Sequence, residues 1–430
     1  MLLSKSLSGA RGRLKPSYLS ARLLSAINCS LMSLNIVKNS LCVSLLLFSF
    51  AFFTTASHAG SLEQAKVLHD RLAGVPADSL TLSQMAEMIE NNQTISAAEL
   101  AMENTHFYNT TLKLFASPWT NLEQDIFEPL NDYSATVIGM VRDDIDFRQV
   151  LQADMVYIGD AALALPTYSN DNNEHYLALE NEAVDLKDHL RQVAQSSLNG
   201  LPSEATAGVL TSRAAAKDFF YLGTNRAMLR FTLINHLCTD LEPLKDNTRP
   251  ADRIRQDVSR SPGGDSRLFL NNCVACHAGM DPLAQAFAYY NYQFDSEQDA
   301  DGEFGRIVYS ENQVQTKYHI NSTNFPLGYV TPDDNWVNYW RAGNNQILGW
   351  DPALSGYGKG AKSLGKELAN SDAFATCQVK KVFTNVCLRT PETSADLNQI
   401  TETTNSFKQN GYRLKGVFAE VASYCTEAFK

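Results

Sequence analysis

Cys273-Val-Ala-Cys-His-Ala-Gly-Met-Asp-Pro282 is the stretch from which the rest of the chain is read. Two thiols three positions apart, followed directly by an imidazole, have the spacing at which a polypeptide takes haem covalently. Each thiol adds across one of the two vinyl groups to give a thioether. The adjoining His277 then lies under the iron and supplies its proximal nitrogen. The spacing assigns Cys273, Cys276 and His277 to a single haem c. Three other chemistries share parts of this motif. A thioredoxin-like redox pair follows a buried strand in a βαβ unit, whereas both flanks here have helical texture. A zinc site needs a second ligand pair at similar spacing, and Cys377 and Cys387 are too far apart to form one. A plain structural disulfide between Cys273 and Cys276 is the third.

Just upstream, Arg260-Ser-Pro-Gly-Gly-Asp265 reads as a tight turn that delivers the chain into a helix. Four arginines, Arg253, Arg255, Arg260 and Arg267, precede the motif. A planar guanidinium suits a haem propionate, and Arg260 and Arg267 are the expected partners; a solvated basic stretch is the alternative. Downstream, no methionine follows Met280. Met280 itself is only three residues past His277 and is read as packing. His319, on an irregular segment 42 residues on, is therefore the expected distal metal ligand. Met228, His236 or an open sixth position are the alternatives. Trp336, Trp340 and Trp350 are read as core and haem-pocket packing rather than as an electron relay.

Compartment and motif support each other. Residues 1–59 hold six Lys or Arg and no Asp or Glu. Lys38, the apolar run Cys42–Ala56 and the closing Ser57-His58-Ala59 form a charged region, a short hydrophobic region and a small-residue cleavage site. The run is shorter than the ~20 residues a spanning helix needs, so no stable membrane span is expected after signal removal. Met32 opens a signal of ordinary size, with residues 1–31 as an over-extended start. The expected destination is the periplasm or beyond. Cys29 and Cys42 leave with the leader. Of the remaining six cysteines, Cys238, Cys377, Cys387 and Cys425 lie outside the motif, which allows two disulfides in three connectivities, or four buried thiols. Without the leader, 30 basic residues face 47 acidic ones, a net charge of −17. Such a surface repels nucleic acid and anionic headgroups, so neither is an expected partner.

The 430 residues are 44% hydrophobic and 19% charged, which excludes disorder and allows one large core or two domains. Three- and four-residue apolar spacing predicts helices over Ser61–Ala73, Leu82–Asn91, Ala97–Phe115, Phe147–Leu163, Glu182–Leu198, Ala214–Asp240 and Asp281–Tyr290. Thr81 and Ser96 are the expected N-caps of the second and third. Helical spacing returns over Lys362–Asn370, Ala373–Val386 and Ser406–Phe429, after an irregular stretch with a short strand at Gly305–Tyr309. The expected fold is mainly α. A leader and signal peptide (1–59) precede a helical N-terminal domain (60–205). A cytochrome-c-like helical haem domain (206–430) follows, with a loop-rich insert at about 293–360.

The chain also resembles the planctomycete-type secreted c-haem proteins, whose tandem domains carry C-x-x-C-H followed three residues later by Asp-Pro, here Asp281-Pro282. The likeness takes in Phe147–Tyr157, Gly208–Arg213, Asn225-Arg226, Leu237-Cys238, Ser371–Cys377 and Gly411-Tyr-Arg-Leu, roughly residues 140–430. It departs at Ala284, where the family has Gly, and around Tyr289-Tyr290-Asn291, where it has Glu and Asp. The resemblance implies a helical haem domain preceded by a helical stretch.

Together these readings predict an exported monohaem protein that passes single electrons between protein partners. Two alternatives stand beside it. One is a peroxidase- or oxidase-like haem enzyme with an open distal face, which needs a distal acid–base group such as His236 or His319. The other is a partner-binding protein whose haem only staples the fold. No G-x-S-x-G, phosphate loop or metalloprotease helix is present.

Overall fold

The computed structural model describes residues 60–427, Leu222 excepted. The leader, the signal peptide and Met32 lie outside the described residues. The chain is mainly helical, with three small two-stranded antiparallel sheets.

Three helices open it: α1 (Ser61–Ala73), α2 (Ser79–Glu90) and α3 (Thr94–Ala101). α1 buries Ala65, Leu68 and Leu72 on one stripe and has the bounds its spacing predicts. α2 begins earlier than expected. Its cap is Asp78, not Thr81, because the Asp78 carboxylate accepts from the N–H groups of Leu80 (2.9 Å) and Thr81 (3.0 Å). α3 begins at Thr94 without a side-chain cap, so Ser96 does not cap it either. α4 (Asp132–Arg142), for which the spacing gave no expectation, is buried at every position but Arg142 and starts in an Asn131/Ser134 capping box.

Two expected helices are largely something else. Phe147–Leu163 holds a 3₁₀ turn (Phe147–Leu151) and strand β1 (Val156–Gly159). Glu182–Leu198 holds two single-turn helices and strand β2 (Leu190–Val193). The two strands pair with each other around α5 (Glu174–Asn181), Val156 opposite Val193 and Gly159 opposite Leu190. Tertiary packing decides this. Tyr157 of β1 lies flat against α4 at Gly139, where a Cβ would stand 2.1 Å from its ring.

The expected helix Ala214–Asp240 is broken into α6 (Arg213–Phe219) and α7 (Arg226–Leu237). Asn225, at φ +55°, makes the break, and its amide donates to the carbonyls of Phe287 (2.8 Å) and Tyr290 (3.0 Å). The motif helix α8 (Val274–Ala284) follows. Next comes the loop-rich stretch, with β3 (Tyr290–Phe294) paired to β4 (Gly305–Tyr309) and β5 (Asn335–Val337) to β6 (Tyr357–Lys359). β4 has its expected bounds. The chain ends in α9 (Gly360–Ala369), α10 (Asp372–Cys387), α11 (Ser394–Gln409) and α12 (Leu414–Glu427). The last two replace the single expected helix Ser406–Phe429, divided where Gly411 and Tyr412 take positive φ.

One apolar core takes side chains from all of these helices, on both sides of residue 205. α12 packs against α1, α3 and α10, and its Phe418 meets Phe107 and Phe115 edge-on at 5.2 and 5.3 Å. The four described cysteines outside the motif form Cys238–Cys377, joining the end of α7 to α10, and Cys387–Cys425, joining α10 to α12. No described helix is long and apolar enough to cross a membrane.

Candidate haem-attachment site

The turn expected before the motif is present. Pro262–Gly264 is a 3₁₀ turn in which Gly263 and Gly264 take φ of +61° and +85°, values that cost a side-chain-bearing residue strain. Asp265 then accepts from the Arg267 N–H and opens a helical run. That run starts at Ser266, well before the expected Asp281, passes through a π-turn at Phe269–Cys273, and continues as α8. It gives way after Phe287, and Tyr290 is in β3 instead. π-turns inside helices are frequent at functional sites, and here one ends on Cys273.

Cys273 and Cys276 are the described cysteines that remain thiols, and both are partly exposed. Cys273 packs at the edge of a small apolar cluster of Ile254, Phe269 and Ala278, apart from the main core. The Cys276 sulfur lies 3.8 Å from the Leu241 carbonyl, and burial pushes its thiol pKa up. Trp340, fully buried, holds α8 from behind: a Cβ on Gly279 would stand 1.9 Å from its indole nitrogen. Trp336 donates to Ser363 Oγ (2.7 Å) and Trp350 to the carbonyls of Trp340 and Asn345, so all three tryptophans are tied into packing.

His277 keeps 20% of its side chain exposed, and its Nδ1 is 3.1 Å from Oδ1 of Asp281, whose side chain is fully buried. An ionised carboxylate only accepts, so Nδ1 is the donor in this bond and Nε2 is the nitrogen left to face a metal. Burial alone would raise the Asp281 carboxyl, but Arg226, Arg255 and the His277 bond hold it well below the usual carboxylate range. Arg226, at the start of α7, donates to both Asp281 oxygens (2.6 and 2.9 Å) and also to Asp257. Arg255, 2% exposed, brings a second guanidinium to 3.7 Å. Sequence reasoning missed this network. The four-residue interval between His277 and Asp281 was its one visible signal, because side chains that far apart on a helix are neighbours. The two arginines and Asp257 come from separate segments, and no interval in the sequence joins them.

The other predicted residues are placed as follows. Arg260 lies between the Phe269 and Phe325 rings (4.7 and 4.4 Å) and donates to the carbonyls of Val258 and Ile254. Arg267 is exposed and paired with Asp265 at 2.7 Å. Arg253 donates to the Asn335 carbonyl. His319 is exposed on a 3₁₀ turn and makes no hydrogen bond among the described residues. Its neighbour Tyr318 is buried, with the Arg255 guanidinium 4.7 Å above its ring. His236 is fully buried in the core, its Nε2 2.7 Å from the Tyr133 hydroxyl, and Met228 is buried on the same helix.

The donor set fits haem c. It offers two free thiols at the right spacing and one imidazole with a committed Nδ1. Leu270, on the turn before Cys273, is 57% exposed, and Leu327, on a segment hydrogen-bonded to Ile254 and Gln256, is 88% exposed. Among the described residues, no group of three or more His, Cys, Asp or Glu side chains is arranged to hold a bare metal ion. No family model matches the chain, and neither the curated proteins nor the solved structures contain a match.

Proposed function

We propose that this chain is an exported c-type haem protein, with one haem attached at Cys273 and Cys276 and ligated by His277, that passes single electrons between protein partners. One observation carries the reading. Four of the six described cysteines are paired in disulfides, while the C-x-x-C pair stays reduced beside an imidazole whose Nδ1 is held by a buried carboxylate. Disulfides belong to oxidising compartments, where covalent haem attachment also takes place in bacteria. When bound, haem stores and releases one electron at its iron.

The chain's own residues do the rest. Asp281 orients the ligand, Trp340 backs α8, and the Ile254, Phe269 and Ala278 cluster supplies a low-dielectric wall. In this reading residues 206–430 form the cytochrome-c-like part, akin to the planctomycete-type proteins, and the protein works in the periplasm or at the cell surface. Arg260 and Arg267 remain the proposed propionate partners and His319 the proposed distal ligand. The His277–Asp281 bond favours one second reading, a haem enzyme, because a carboxylate on the proximal imidazole makes it a stronger electron donor to iron.

The test is an optical spectrum of protein made with the c-haem maturation machinery. Oxidised, reduced and carbon-monoxide-treated samples are compared. A low-spin reduced spectrum unmoved by carbon monoxide supports electron transfer. Ready carbon monoxide binding supports the enzyme. Protein without covalent haem refutes both.

A further inference from the structure

We propose that Asp281 is a positioning residue that sets the donor strength of His277, and that it makes this centre a better electron donor than the same ligands with a neutral acceptor in its place. The inference rests on the haem reading above and deepens it.

Both oxygens of Asp281 are committed. Oδ1 accepts from His277 Nδ1 and Arg226 Nε, and Oδ2 accepts from Arg226 Nη2 and the backbone N–H of Arg255. The donors come from three segments: α8 itself, the first residue of α7, and the stretch around Arg255. Arg226 is forked in turn onto Asp257, and Arg255 is fixed by Thr224 and by the Tyr318 ring. The carboxylate therefore has no direction in which to rotate away from His277. Two arginines face two aspartates here, so the buried carboxylate has a cationic partner on both of its oxygens.

A charge-assisted bond from an imidazole N–H to a carboxylate is roughly twice as strong as one to a neutral acceptor. It pushes electron density through the ring to the metal-binding nitrogen and favours the ferric over the ferrous state. The exchange is of one electron at iron, with the Nδ1 proton staying in the His277–Asp281 bond throughout.

The experiment compares full-length wild type, Asp281→Asn and Asp257→Asn, each made with the haem maturation machinery. A haem-stained denaturing gel establishes covalent attachment, and spectroelectrochemical titration gives the midpoint. The amide of Asp281→Asn keeps the size and the acceptor oxygen but loses the charge. The expected result is a shift of at least tenfold toward the ferrous state, about 59 mV upward for a one-electron couple. Asp257→Asn, which removes equal charge without touching His277, is expected to shift the equilibrium less than threefold. Equal shifts in the two variants, or none in Asp281→Asn, overturn the proposal. If Asp281→Asn fails to accumulate, Arg226→Lys loosens the same carboxylate: an upward shift of threefold or more supports the proposal, and none overturns it. A wild type that lacks covalent haem on the gel overturns the haem reading and this inference together, a result the stain separates from the others.

Discussion

Removing the two disulfides one at a time should cost different amounts, and chain entropy sets the order. Cys238–Cys377 closes a loop of 139 residues and Cys387–Cys425 one of 38. In the loop-entropy relation these crosslinks restrict the unfolded chain by about 5 and about 4 kcal/mol respectively. The loops do not overlap in sequence, so each variant reports on its own bridge. The structure also gives the longer bridge a particular place. It ties α7, whose first residue is Arg226, to α10 of the terminal helical bundle, whereas the shorter one lies wholly within that bundle. The assay is urea unfolding of Cys238→Ala/Cys377→Ala and Cys387→Ala/Cys425→Ala beside wild type, followed by circular dichroism and by the haem band. Both variants should unfold at lower urea, and the first should lose more, by about 1 kcal/mol. In protein carrying the proposed haem, loss of the longer bridge should also disturb the haem band earlier than the helical signal. The reasoning is refuted if the short-loop variant is the less stable of the two, or if reductant leaves the wild-type midpoint in place.

Gly279→Ala should destabilise by about 1–2 kcal/mol. Overpacking costs about 1–3 kcal/mol, and the gain in helix propensity returns up to about 1. The new Cβ falls 1.9 Å from the indole of Trp340, which is fully buried and cannot swing out. A variant as stable as wild type in thermal melts would show that α8 and Trp340 are not in contact. Arg226→Met should cost about 3 kcal/mol or more, because it leaves Asp281 buried without its main partner; a melting temperature within a degree or so of wild type would contradict the network. His236 gives a pH test. Burial, and then the nearby Lys381 charge, lower its pKa to about 3, below the unfolded value of 6.5. Its contribution is therefore complete above pH 6.5 and is lost as pH falls toward 3, because the unfolded chain takes a proton that the folded imidazole refuses. Between pH 6.5 and 5 this amounts to about 2 kcal/mol. His236→Phe should flatten the stability profile in that window, and an unchanged slope there would count against a buried neutral His236.

Much of the helical content was legible because it is local. α1, α9 and α10 follow their apolar spacing to within a residue or two. The Pro262-Gly263-Gly264 turn follows from residues that tolerate positive φ. β1 and β2 were not legible, since Val156–Gly159 and Leu190–Val193 carry spacing that also suits a helix; what selects the strand is a partner 31 or more residues away and the flat face offered by Gly139. The breaks at Asn225 and at Gly411-Tyr412 were missed for a similar reason. Asn225 turns there because its amide is fixed by two carbonyls beyond the motif helix.

The candidate site divides along the same line. By itself the sequence showed the Cys273, Cys276 and His277 motif on which the haem proposal rests, because two thiols and an imidazole are set by spacing along one short segment. It also determined that the chain is mainly helical, because apolar periodicity is a local property. Only the tertiary structure decided which of three disulfide connectivities forms, since that depends on where α7, α10 and α12 meet. Only it decided that the His277 imidazole is held by a buried aspartate under two arginines. Those charges come from segments separated by up to 55 residues, and a charge so buried is stable only where folding brings its partners within hydrogen-bonding distance.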